Sequence, residues 1–116
     1  MILAGKKRKA LNFFIDKDGL PRATGSDELK DIALFLESDI QGDGGLAKEL
    51  LGLLDQSKQD LKAKEFVGNS YALTIYPDKV IIEPLWDEHK KENTTIPHND
   101  FRQIIEGWLE FIEPKT

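Results

Sequence analysis

Cysteine is absent from the 116 residues. That omission excludes disulfide staples, thiolate zinc sites and a thiol nucleophile together, and a reducing cytoplasm is the setting expected. Histidine is scarce, with only His89 and His98 present. No apolar run approaches the roughly 20 residues that span a bilayer, so no membrane partner is expected. Met1-Ile2-Leu3-Ala4-Gly5 precedes Lys6-Lys7-Arg8-Lys9, whereas a secretory signal has the reverse order and a longer apolar region. Ser26, Ser38, Ser57 and Ser70 stand in no nucleophile elbow or triad-like context.

What remains is the composition of an ordinary soluble domain, 40% hydrophobic and 32% charged. The length predicts one domain over residues 1–116, with residues 1–10 as a basic N-terminal segment. A chain of this size buries one core without staples. The net charge of −5 is unevenly spread, since four of the 16 basic residues occupy positions 6–9. The rest holds 12 basic against 21 acidic groups, a balance of −9. Such a field repels nucleic acid and attracts cationic partners. Lys6 to Lys9 read as a solvated terminus or strand edge that discourages aggregation, with phosphate contact as the alternative.

Leu11 to Asp16 is a β-rich run, and Asp16-Lys17-Asp18-Gly19 reads as a hairpin turn with Gly19 at positive φ. Its likeness to a calcium loop fails at the third acidic position and the closing glutamate. Leu20 to Ala23 follows as a short strand. Ser26 is the expected N-cap of a helix whose stripe is Leu29, Ile32, Ala33, Leu36 and Ile40, widened by Leu34 and Phe35. Asp31, Glu37 and Asp39 then form an acidic outer face. Gln41 to Gly45 ends the helix, and a second one is predicted over about Leu46 to Leu61. Tyr71 to Tyr76 and Val80 to about Leu85 read as a hairpin around Pro77-Asp78-Lys79. Asp87 to Asn93 reads as a charged loop. Ile96 heads a last helix that presents Phe101, Ile104, Ile105, Trp108 and Ile112 and stops by Pro114. The predicted fold is α+β, a small antiparallel sheet with about three helices packed on one face, in the order β(β)ααββα.

Catalysis requires convergent groups with tuned pKa values. His98-Asn99-Asp100 offers two ligand types, but no second histidine pair or HExxH pattern accompanies them. Capping of the last helix by His98 or Asn99, with Asp100 answering its dipole, explains the same residues. No cofactor is expected, and a small metal-dependent enzyme is the second alternative. Two features point to protein binding. One is the acidic helix face of Asp31, Glu37 and Asp39, continued by Asp43, with plain solvation as the alternative. The other is Trp86 beside Asp87 and Glu88, because tryptophan is enriched among interface anchors; a place at the core margin is its alternative.

The Gly-Asn-x-Tyr-x-Leu-x-Ile strand (Gly68, Asn69, Tyr71, Leu73, Ile75), the Val80-x-Ile82 return and the Ile-Pro-x-x-Asp-Phe helix (Ile96, Pro97, Phe101, Ile105, Trp108, Phe111, Ile112) form a pattern. The pattern resembles small bacterial immunity proteins that accompany polymorphic toxins, including those of contact-dependent growth inhibition. It covers roughly the last 50 residues well and, through its acidic character, the first helix loosely. The resemblance implies a cytoplasmic inhibitor that binds the toxin domain of its own system, often a nuclease, in a stoichiometric complex, and it carries over no interface residue. Nuclease domains are basic around the substrate groove, which an acidic protein can cover. The expected contacts are therefore Asp31, Glu37, Asp39, Asp43, Trp86, Asp87 and Glu88. A regulator or adaptor of a cellular protein is the first alternative.

Overall fold

The computed structural model describes residues 2–4, 9–86 and 93–113. Lys6 to Arg8 and the loop residues Asp87, Glu88 and His89 lie outside them. The architecture is α+β, and among the described residues it holds two antiparallel sheets where the sequence predicts one. β1 (Ile2–Ala4), β2 (Lys9–Ile15) and β3 (Pro21–Thr24) form the first. β4 (Lys64–Val67), β5 (Tyr71–Ile75), β6 (Lys79–Pro84) and β7 (Thr94–Pro97) form the second, in sequence order.

The β2–β3 turn follows from its residues. Gly19 has φ +82°, and Asp16 Oδ1 accepts from the backbone N–H groups of Asp18 and Leu20 at 2.8 and 3.0 Å. This is an Asx-type turn. The side chain that begins the apparent calcium loop closes the hairpin instead.

The first helical segment is less regular than its spacing predicts. It opens with a 3₁₀ turn (Asp27–Leu29), continues as α1 (Lys30–Phe35) and widens into a π turn (Leu36–Ile40). Ser26 stands at its start without making a side-chain cap. The stripe of Leu29, Ile32, Ala33, Leu36 and Ile40 is buried, as is Phe35, while Leu34 is exposed. Asp43 caps α2 (Gly44–Asp60), its carboxylate accepting from Leu46 N–H at 3.2 Å.

α3 (His98–Ile112) unites the two sheets. It packs on α2 and β1, and on β6 and β7. Phe101, Ile104, Ile105 and Trp108 are fully buried, each worth about 1.5–3 kcal/mol of apolar burial. Toward the first sheet, Phe13 meets Trp108 edge-on with centroids 5.0 Å apart. Toward the second, Phe35 contacts Phe66, Tyr71 and Phe101 at 6.2, 6.2 and 6.4 Å. The inner face of the second sheet alternates as its period requires, burying Tyr71, Leu73, Ile75, Val80 and Ile82.

Two expectations about the last helix are corrected. Ile96 and Pro97 belong to a strand, and Pro97 is the N-cap residue, without a side-chain cap. His98 is the first helical residue rather than a cap. Proline suits the start of a helix because its missing N–H is not needed there.

Candidate protein-binding site

The acidic outer face expected on the first helix is not what the fold presents. Asp39 is buried, at 4% exposure. Its carboxylate accepts from Ser70 N–H and Tyr71 N–H, both at 2.9 Å, and from Ser38 Oγ at 3.0 Å. Asp31 accepts from the Tyr71 hydroxyl at 3.1 Å and from Thr94 Oγ1 at 3.0 Å. Glu37 accepts from Ala23 N–H at 2.7 Å and pairs with Arg22 Nε at 3.1 Å. Asp43 is the α2 cap already described. Asp31, Glu37 and Asp39 therefore act as internal braces that tie the helix to β3 and to the second sheet, while Asp43 is exposed and serves α2 alone. Satisfied in this way, a buried carboxylate costs the fold little, whereas removing it leaves donors stranded.

Trp86 is different. Its indole N–H donates to the Asn69 carbonyl at 2.9 Å, yet the residue is 80% exposed. The ring is held by its polar atom and turned to solvent, away from the core margin. Val67, 68% exposed, and Leu85, 37% exposed, lie at the same end of the sheet, because Val67 pairs with Ala72 and Leu85 N–H bonds Ser70 O. Asp87 and Glu88, the expected neighbours of Trp86 at a contact, lie outside the described residues.

Beside this apolar end runs a groove of about 390 Å³ between α2 and β4, lined by Asp39, Leu46, Glu49 and the segment Glu65 to Asn69. Glu49 and Glu65 are exposed, and neither has an ionic partner among the described residues. The nearby lysines are committed elsewhere, Lys48 to Glu113 and Lys64 to Asp60. Sequence reasoning missed both glutamates, since each falls in an ordinary charged context.

A second groove of about 520 Å³ includes Leu20, Leu34, Arg22 and Glu37 in its lining. Its polar side chains are already engaged: Arg22 bonds Asp16 and Glu37, Ser38 bonds Leu34 O, and Gln41 bonds Ser38 O. Each of these side chains already has a partner among the described residues, whereas Glu49 and Glu65 have no ionic one there, so the α2–β4 side is the stronger candidate.

His98 is 2% exposed. Its Nε2 lies 3.0 Å from Leu54 O and 3.3 Å from Ser57 Oγ, whose own hydroxyl donates to the same carbonyl at 2.8 Å. The neutral ring with its proton on Nε2 fits these contacts. Nδ1 is buried, and no described residue meets it with hydrogen-bond geometry. Burial pushes the ring's pKa below the usual 6.5; Leu54 O opposes this, and the charges of Lys58 and Arg102 add to it. Among the described residues, no group of three or more His, Asp or Glu side chains is placed to hold a metal ion. No helix of the described chain is long and apolar enough to cross a membrane.

The chain matches no protein-family model, no curated protein and no solved structure.

Proposed function

We propose that this chain is an immunity protein that binds a cognate toxin domain, a basic nuclease, and neutralises it in a stoichiometric complex. The observation that carries this reading is Trp86, whose ring is exposed while its N–H is satisfied within the protein. A tryptophan so held loses little conformational freedom on binding and offers a large apolar face, the profile of an interface anchor. The carboxylates of Glu49 and Glu65, without an ionic partner among the described residues, stand on the same side, and the chain's net charge of −5 favours a cationic partner. The resemblance of the Gly68–Ile75 and Ile96–Ile112 patterns to immunity proteins supplies the kind of partner.

The test is direct. The toxin domain encoded beside this reading frame is purified and assayed for nuclease activity with increasing amounts of the protein. Inhibition complete at one equivalent supports the reading. Full nuclease activity at tenfold excess rejects it, and an absent toxin gene would favour an adaptor of a cellular protein.

A further inference from the structure

The registers of the second sheet determine which backbone groups its edge strands present. Gly68 N–H bonds Tyr71 O at 2.8 Å, and β4 pairs with β5 as Phe66 with Leu73 and Lys64 with Ile75. In an antiparallel ladder, bonded and non-bonded pairs alternate. Lys64 and Phe66 therefore turn their N–H and C=O toward β5, and Glu65 and Val67 turn theirs outward. These outward groups have no partner among the described residues.

Two other edges are blunted. On β3, Pro21 has no N–H and Ala23 N–H is taken by Glu37 at 2.7 Å. On β7, His98 N–H bonds Asp78 O at 3.0 Å, which leaves Thr95 and Pro97 facing outward, and Pro97 has no donor. Natural sheets blunt their edges with such devices. β4 lacks them and borders a groove.

We propose that the outer edge of β4 accepts an extended, positively charged segment of a partner protein as a fifth strand of the sheet. The proposal deepens the immunity reading and rests on it for the partner's identity. The open rungs at Glu65 and Val67 supply main-chain pairing, as in other strand-addition complexes. Charge decides the occupant. The groove beside β4 includes Glu49 and Glu65 and is lined by no lysine or arginine. Directly opposed side chains on an added strand would meet Glu65 and Val67 on one face. The complementary sequence therefore carries a cation and an apolar residue two positions apart. A second copy of this chain is disfavoured, because two β4 edges would bring like carboxylates together.

The test uses a capped eight-residue peptide in which lysine and valine alternate with threonine, titrated into ¹⁵N-labelled protein. The Glu65 and Val67 amide resonances should shift, and their hydrogen exchange should slow at least tenfold at saturation. Replacing the peptide lysines by glutamate should weaken binding at least tenfold. Val67→Pro should abolish binding with the fold intact by thermal melt, and Glu65→Lys should weaken it even where Val67→Pro unfolds the chain. Absence of shifts at millimolar peptide, equal binding of the glutamate peptide, or shifts that spare these two amides would each overturn the proposal. So would a dimer of this chain that Val67→Pro dissolves. The toxin separates the two readings. Full neutralisation by a folded Val67→Pro variant would overturn strand addition and leave the immunity reading standing. Peptide binding at β4 without toxin inhibition would do the reverse.

Discussion

The Asp39 carboxylate is pressed against Gly68: a Cβ added at Gly68 would come within 2.8 Å of Asp39 Cγ. The glycine is required by this approach, since no positive φ is involved. It lets the helix acid reach the backbone N–H groups of Ser70 and Tyr71. Asp39→Ala leaves those donors without an acceptor and is expected to destabilise the fold by about 3 kcal/mol. Gly68→Ala is expected to cost about 2 kcal/mol through overpacking. Urea unfolding of the single and double variants checks both. The double variant should lose clearly less than the sum, because alanine at position 39 removes the group with which the new methyl collides.

His98 makes stability depend on pH near neutrality. Its folded pKa is depressed by burial, while the unfolded chain titrates near 6.5. Above pH 6.5 both states are neutral and the residue contributes no slope. Below it the unfolded chain takes up a proton that the native ring resists, so stability falls as pH falls, by at most about 1.4 kcal/mol per unit. Urea midpoints between pH 7.5 and 5.5 should decline in the natural protein. They should decline less in His98→Gln, whatever that substitution costs at pH 7.5. Equal slopes would show that the ring titrates normally.

The alternation of Tyr71 to Ile75, the Gly19 turn and the α3 stripe were legible because each follows a local period. The strands β4 and β7 were not. Lys64–Val67 buries only Phe66, and the buried member of Thr94–Pro97 is Ile96, so neither segment is long enough to display a period of two. The direction of the acids was within reach. Asp31 and Asp39 lie four residues either side of Phe35, and Glu37 lies four beyond Ala33. Residues four apart share a helix face. Once Phe35 is counted as core, its acidic neighbours belong beside the core and require donors. Which donors would meet them depends on long-range pairing that spacing does not encode.

Trp86→Ala should separate binding from folding. The ring is mostly outside the core and gives the fold one hydrogen bond, to Asn69 O. Its removal should cost the fold about 1 kcal/mol or less. If the ring anchors the complex, the loss in affinity for the toxin domain should reach about 2 kcal/mol, roughly thirtyfold. Calorimetric titration alongside a thermal melt measures both quantities on one preparation. Unchanged affinity would remove Trp86 from the interface.

Charge reversal distinguishes the acids that brace the fold from those available to a partner. Reversing Asp31, Glu37 and Asp39 together places three cations where the structure has acceptors for Ala23, Ser70, Tyr71 and Thr94. That variant is expected to unfold, and lost binding would then say nothing about contact. Glu49→Lys with Glu65→Lys changes two exposed carboxylates that have no ionic partner among the described residues, and should alter the melting temperature by only a few degrees. It replaces attraction by repulsion at the mouth of the α2–β4 groove. Association with a basic toxin domain should slow about tenfold at low salt, and the difference should shrink as salt screens the field. Stopped-flow association rates at two ionic strengths measure this, and equal rates for the two proteins at low salt would place the toxin elsewhere on the surface.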